Sequence, residues 1–214
     1  MDATLVTRVS LPLLMLAFVM LLMVWPVLRL RRESGVWAVT LHRETAPGHR
    51  IMGVAFLVIQ LATLGFVAAF AVRGPEALGV WPFSGFFAWL GLGLAAAGLV
   101  LVALAQRQMG ASFRIGIDDA ETALVQDGLF AVVRNPIFTG LVVLLAGIFL
   151  AAPCWWTLAV WAATAVGVAW QVRLEEDHLL DQHGDAYGAY AARVGRFLPG
   201  IGRLARAAPE AGGR

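Results

Sequence analysis

Two groups of polar residues in the C-terminal half of the chain could do chemistry. The first is Arg134-Asn135-Pro136, which directly precedes an apolar run. Asn favours the N-cap of a helix and Pro its first position. The free N–H groups and the dipole at such a terminus bind anions, and Arg134 adds a full positive charge. An ordinary capped helix at a membrane surface would show the same residues, so the pattern leaves both interpretations open.

The second group follows the last apolar run and reads Arg173-Leu174-Glu175-Glu176-Asp177-His178. Neighbouring residues on a helix point about 100° apart, so we expect only one of the two glutamates to face inward. Arg173 could neutralise and orient an anionic substrate. The alternatives are a solvated charged turn, and an Arg173 that snorkels to the interface or pairs with a glutamate. The candidates for chemistry here are therefore Arg173 and one of the two glutamates, Glu175 or Glu176.

The composition of the chain indicates the kind of fold that positions these two polar groups. The chain has 214 residues, of which 60% are hydrophobic and 14% charged, and its mean hydropathy is +0.77. Soluble domains have about 45–50% apolar and about 25% charged residues, so we expect an all-α, polytopic membrane helix bundle. A single cysteine excludes a disulfide framework. Hydropathy predicts five spans, at residues 9–28, 51–72, 82–105, 137–152 and 154–172.

Arginines predict the orientation of the bundle. All 16 basic residues are Arg, and only Arg8 and Arg73 fall outside the loops and tail that the five spans place on one side. The positive-inside rule therefore predicts an outer N-terminus and a cytoplasmic C-terminus. Arg29, Arg31 and Arg32 end the first span as a stop-transfer pattern, which favours a retained helix. The Arg-only, Ala- and Gly-rich composition is typical of a GC-rich bacterial genome and predicts a bacterial inner membrane.

The organisation follows from these spans. Residues 1–105 form three predicted N-terminal spans, residues 106–200 a catalytic region, and residues 201–214 a flexible tail. Pro153 predicts a tight hairpin between the last two spans. Residues 115–128 predict short extended pieces and turns. After a break at Gly184, the spacing of Tyr187, Tyr190 and Val194 predicts a second amphipathic helix.

Two short motifs match known binding patterns, but the residues around them exclude the corresponding sites. Residues 91–96 match a dinucleotide-binding pattern, but they lie inside a span with no preceding strand, so we expect close helix packing instead. Glu175 and His178 form one E-x-x-H pair, whereas a di-iron bundle site needs two. We therefore expect no metal site.

The polar groups also carry a family resemblance. The chain resembles the isoprenylcysteine carboxyl methyltransferases, their bacterial relatives and the phospholipid methyltransferases over about residues 105–200. The matching residues are, in order, Leu124-Val125, Gly128-Leu129-Phe130, Arg134-Asn135-Pro136-Ile137-Phe138-Thr139-Gly140, Gly147, Glu175-Glu176, Leu179, Gly184, Tyr187, Tyr190, Val194 and Pro199.

The resemblance implies a methyltransferase that uses S-adenosylmethionine in a cytoplasmic pocket. Its lipophilic acceptor would enter from the bilayer and carry a carboxylate of a prenylated cysteine or isoprenoid-like molecule, a thiol or a lipid amine. The cofactor's carboxylate suits Arg134 and the helix terminus, and its ammonium or ribose hydroxyls suit Glu175. The implied cofactor contacts are Thr122, Ala123, Leu124, Val125, Phe130, Asn135, Pro136, Ile137, Phe138 and Glu175.

The sequence departs from the family pattern at four positions. Asn135 replaces a histidine, and Phe130 and Phe138 replace tyrosines, although both rings can still flank the adenine or the sulfonium. Gln171 stands where the eukaryotic enzymes have a substrate-contacting Arg, four residues before the pocket glutamate. That replacement weakens the case for a prenylcysteine carboxylate as the acceptor.

Two other functions stay open at this point. An NADPH-dependent membrane reductase similar to the sterol reductases would need a basic cluster for the 2′-phosphate, for which Arg107 and Arg114 are the loop candidates. A non-enzymatic membrane protein would be expected to carry charge in mid-span. Here the span interiors lack charged residues, and Gln60 is the strongest polar group near a midplane. The sequence indicates no nucleic-acid partner and leaves the oligomeric state open.

Overall fold

The computed structural model describes residues 3–34, 47–82, 84–110 and 124–204, and these residues are almost entirely helical. Helix α1 (Ala3–Phe18) continues through a π-helical turn (Val19–Val24) into α2 (Trp25–Ser34). Helices α3 (Pro47–Arg73), α4 (Gly85–Met109), α5 (Pro136–Ala151) and α6 (Trp155–Ala191) follow. Short 3-10 turns occupy Glu76–Leu78 and Gly128–Ala131. The predicted all-α class is confirmed.

Four helices in the described part of the chain are long and apolar enough to cross a membrane, and α5 is a shorter apolar helix. With 16 residues, α5 is about 24 Å long at 1.5 Å per residue, less than a ~30 Å hydrocarbon core. The predicted fourth span therefore exists as a helix but is short. Exposed apolar side chains on other helices, such as Leu13, Leu61 and Phe86, suit contact with lipid. The protein is an integral membrane protein.

Helices α4 and α5 form the most intimate contact in the bundle, and they run antiparallel. Gly91 lies against Gly147 and Ala151, and Gly98 lies against Gly140 and Leu144. A Cβ atom on Gly147 would lie 2.3 Å from the backbone nitrogen of Ala95, so only glycine allows this approach. The prediction of close packing at residues 91–96 is confirmed. Gly93 differs, because nothing lies within 4 Å of the Cβ it would carry.

Helix α6 extends well beyond its predicted end at residue 172. It reaches Ala191, with a break at Gly184, where φ is +49°. Glycine adopts this backbone conformation without the steric cost that other residues meet. The predicted Gly184 break is confirmed, and the helical residues after it include Tyr187 and Tyr190. About 20 residues suffice for a span, so the polar residues beyond about residue 174 lie outside the membrane.

Candidate active site

Three segments meet where α6 leaves the membrane: the start of α5, the extension of α6, and residues 192–204 after α6. Arg134 N donates to the Gly195 carbonyl at 2.8 Å and Asn135 N to the Arg196 carbonyl at 3.1 Å. Pro136 is the first residue of α5 and Asn135 its N-cap, as predicted. The Asn135 side chain does not cap the helix but donates to the Arg196 carbonyl at 3.2 Å. The N-terminus of α5 is thus fixed by the chain that follows α6.

Arg134 lies at the centre of this assembly and is 5% exposed. Nε donates to Oε1 of Glu176 at 3.1 Å, and Nη2 donates to the same oxygen at 2.7 Å. Nη1 donates to the carbonyls of Ala191 and Val194, and Nη2 also donates to that of Gly202 at 3.0 Å. These bonds use all five N–H groups of the guanidinium. Arg134 therefore has no N–H left for the cofactor carboxylate that the sequence assigned to it, and it positions the start of α5 instead.

Glu176 supplies the counter-charge and is 4% exposed. Its second oxygen accepts a 2.6 Å bond from Nη2 of Arg196, which is partly exposed. Nε of Arg196 also donates to Oε1 at 3.2 Å, so one carboxylate joins two guanidinium groups. A buried charge of this kind persists only when it is paired and hydrogen-bonded. The adjacent acids differ as expected: Glu176 faces the interior, whereas Glu175 is half-buried.

Two tyrosines complete the packing around Arg134. The Tyr190 hydroxyl donates to the Phe130 carbonyl at 2.7 Å, which ties the 3-10 turn to α6. Burial raises the pKa of Tyr190 to about 12, so its hydroxyl keeps the proton that it donates. Burial, together with the negative charge of Glu176, also raises the pKa of Tyr187. Leu124 packs against the buried cluster that these tyrosines form with Ala191 and Val194.

Glu175 has a different neighbour. Nε2 of Gln171, one turn earlier on α6, donates to Oε1 of Glu175 at 2.9 Å. Gln171 is 7% exposed, and its own oxygen, Oε1, is buried with no hydrogen-bond partner in the described structure. The amide therefore presents an unused acceptor beside the glutamate predicted to line the pocket.

The other predicted site residues fall into three groups. Phe130 and Pro136 are buried, whereas Val125, Asn135, Ile137 and Phe138 are half-buried. Thr122 and Ala123 lie outside the described residues. Arg173 is exposed, about 200° around α6 from Glu175. The structure therefore does not bring Arg173 together with Glu175, its position suits the snorkelling alternative, and its catalytic role stays an untested prediction.

Sequence reasoning missed Glu176, Arg196 and the free oxygen of Gln171. The signal for Glu176 was present, because two adjacent acids on a helix cannot both face one direction. The pairing with Arg196 depends on the turn at residues 195–201, where Arg196 N donates to the Ile201 carbonyl at 2.7 Å. No local pattern in the sequence encodes that contact.

Comparison with known proteins finds a family that is similar to this part of the chain. Residues 86–186 match the model of the phospholipid methyltransferase family. Over these residues the chain therefore resembles the phospholipid methyltransferases. The match runs from the start of α4 to just beyond the Gly184 break, so it includes the α4–α5 contact, Arg134, Gln171 and both glutamates. The predicted family resemblance is confirmed.

One solved structure is also similar to the chain. It is the eukaryotic intramembrane Ras methyltransferase, isoprenylcysteine carboxyl methyltransferase, at 24% identity and a TM-score of 0.49. The alignment covers 74% of this chain and 55% of that one, so the chain spans little more than half of that protein's length. No curated protein sequence matches the chain.

Proposed function

We propose that the protein is an integral membrane methyltransferase that transfers a methyl group from S-adenosylmethionine to a lipophilic acceptor. The observation that carries the proposal is the family match over residues 86–186, which contains the ordered polar groups at the cytoplasmic end of α5 and α6. The site lies on the cytoplasmic side in this proposal, with the N-terminus outside.

The residues present fit this cofactor. Glu175 offers a half-buried carboxylate for the cofactor's ammonium or ribose hydroxyls. At the start of α5, the N–H groups of Ile137 and Phe138 have no partner within the helix, and they suit the cofactor's carboxylate. Phe130 and Phe138 supply aromatic rings beside the same terminus. Thr122, Ala123, Leu124, Val125, Asn135 and Pro136 complete the proposed contacts, with Arg134 acting through position.

S-adenosylmethionine supplies the chemistry, a methyl group on a sulfonium that is already a good electrophile. When bound, it would supply a methyl carbon that accepts the acceptor's electron pair while the C–S electron pair returns to sulfur. The protein mainly holds the two reactants in line, which is worth up to about 7–11 kcal/mol in ideal cases. The ion cluster of Arg134, Glu176 and Arg196 contributes by fixing the N-terminus of α5 against α6. The acceptor is a lipophilic carboxylate, thiol or amine that enters from the bilayer.

Calorimetric titration of the detergent-purified protein with S-adenosylhomocysteine tests this proposal, with NADPH as the control ligand. We expect binding of the first and none of the second. Glu175→Gln should lower the affinity about 10- to 100-fold, since a hydrogen bond to a charged group is worth about 1.5–3 kcal/mol. Binding of NADPH alone would support the reductase alternative, and binding of neither would contradict an S-adenosylmethionine-dependent enzyme.

A further inference from the structure

A tryptophan ring on the surface of α2 lies beside arginines from two different helices. Cζ of Arg29, one turn later on α2, is 5.4 Å from the centroid of the Trp25 ring. Cζ of Arg107, near the end of α4, is 6.0 Å from the same centroid. Both distances fall within the range of a cation–π interaction. The next residue on α4, Gln108, accepts a 2.8 Å bond from the backbone nitrogen of Leu129, so this surface lies at the end of the bundle that carries the candidate active site.

The π-helical turn between α1 and α2 places Trp25 on this surface. Trp25 follows Phe18 by seven residues, so on an uninterrupted α-helix it would share the inward face of Phe18, which is 4% exposed. In the turn Val19–Val24, the chain has more residues per turn, and Trp25 N donates to the Met20 carbonyl five residues back. The residues after the turn are therefore rotated about the helix axis, and Trp25 is 45% exposed.

Both arginines lie at the level of the lipid headgroups. The candidate membrane span in α1 and α2 ends at Arg29, and the span in α4 ends at Met109, two residues after Arg107. Tryptophan favours the same membrane–water interface. Arg107 is exposed, and in the described part of the chain its guanidinium forms no hydrogen bond or salt bridge. Its N–H groups can therefore donate to a ligand, and their planar arrangement matches the oxygens of a phosphate group.

We propose that Trp25, Arg29 and Arg107 form a binding site for the phosphodiester group of an anionic phospholipid. The two guanidinium groups donate to the phosphate oxygens from two helices, and the negative charge of the lipid reduces the repulsion between them. One turn deeper in the membrane, Met20 and Leu104 are exposed and lie where an acyl chain of the same lipid would pass. A soluble phosphate would gain no such apolar contact, so the site fits a lipid. This inference is independent of the proposed methyl transfer.

Calorimetric titration of two short-chain lipids into the detergent-purified protein tests the site. Dioctanoyl phosphatidylglycerol is the anionic probe and dioctanoyl phosphatidylcholine is the zwitterionic one, and the heat of transfer into protein-free micelles is subtracted. We expect saturable binding of the anionic lipid, at least about tenfold tighter than that of the zwitterionic lipid, since each arginine near a membrane surface adds about fivefold to the affinity for anionic lipid. Inorganic phosphate at the same concentration should not displace it. Equal affinities for the two lipids, or displacement by phosphate, would overturn the proposal.

Arg173→Gln is the matched control for Arg107→Gln, because each variant removes one exposed arginine from a long apolar helix. Arg107→Gln should weaken binding of the anionic lipid at least about fivefold, and Arg173→Gln by less than about twofold. Trp25→Leu keeps both charges of the site but removes the ring, and should weaken binding about two- to fivefold. Equal losses in the two arginine variants would assign the binding to general surface charge and overturn the site, as would wild-type affinity in Arg107→Gln or Trp25→Leu. These titrations contain no S-adenosylhomocysteine, so their failure leaves the proposed function standing.

Discussion

The α4–α5 contact and the ion cluster around Arg134 both join helices, but they do so by opposite means. Inside the membrane, α4 and α5 meet through glycines, so close that a Cβ on Gly147 would lie 2.3 Å from a backbone nitrogen. Outside it, α5, α6 and the following chain meet through Arg134, Glu176 and Arg196, with N···O distances of 2.7 and 2.6 Å.

The difference follows from the solvent. Lipid tails are as apolar as the helix surfaces, so burial of apolar surface gives no drive for association, and close van der Waals packing of small residues takes its place. Where α6 leaves the membrane, charged groups can be drawn from water and paired. We therefore expect added side-chain volume to destabilise the α4–α5 contact. We expect an unpaired charge to destabilise the cluster around Arg134.

Removal of the Glu176 carboxylate, which Arg134 and Arg196 share, should destabilise the protein more than any other change considered. Glu176→Gln leaves Arg134 buried without a counter-charge, and removal of one partner from a buried ion pair typically costs about 3–5 kcal/mol. The thermal unfolding temperature in detergent should fall markedly. Glu175→Gln is the matched control on the adjacent residue and should leave that temperature nearly unchanged. Equal losses in the two variants would contradict the assignment of different roles to the two acids.

Added volume at the α4–α5 contact should have the next largest effect. Gly147→Ala places a methyl group against the backbone of α4, and overpacking of this kind costs about 1–3 kcal/mol. Gly93→Ala, on the same helix pair but in open space, should be neutral or slightly stabilising because alanine favours helix. Thermal unfolding of the two variants measures the difference. A Gly147→Ala protein as stable as Gly93→Ala would refute the packing described here.

Loss of the Tyr190 hydroxyl should destabilise the protein less than these two changes. Tyr190→Phe removes the bond to the Phe130 carbonyl and leaves that buried oxygen unpaired, at a cost of about 1–3 kcal/mol. Because Phe130 belongs to the proposed cofactor contacts, affinity for S-adenosylhomocysteine should fall severalfold. Leu179→Ala, a packing change beside the same tyrosines, serves as the comparison. If both variants weaken binding by the same factor, general loosening of the cluster is the cause.

The smallest effect is expected at Arg173. Its side chain is exposed and lies away from Glu175, so Arg173→Ala should change affinity for S-adenosylhomocysteine by less than about twofold, the range of a surface charge. Calorimetry beside Glu175→Gln gives the contrast. A loss comparable to that of Glu175→Gln would place Arg173 in the cofactor site, instead of the substrate-orienting role that the sequence predicts.

The sequence by itself determined the helices, the glycine packing and the part of the chain that carries the site. Hydropathy and periodicity located five apolar helices because membrane spans and helix faces depend on local composition. The break at Gly184 and the start of α5 at Pro136 were also predictable from the sequence. Each follows from the backbone preferences of one or two residues.

Only the tertiary structure decided how the charges pair. Arg134 and Glu176 are 42 residues apart, and the carbonyls of Val194 and Gly202 that Arg134 also reaches lie 60 and 68 residues along the chain. A guanidinium has five N–H groups, which can donate hydrogen bonds either to a ligand or to other parts of the chain. Which one it serves depends on what the folded chain places around it. The same holds for Gln171, whose amide orientation depends on which side of it Glu175 occupies.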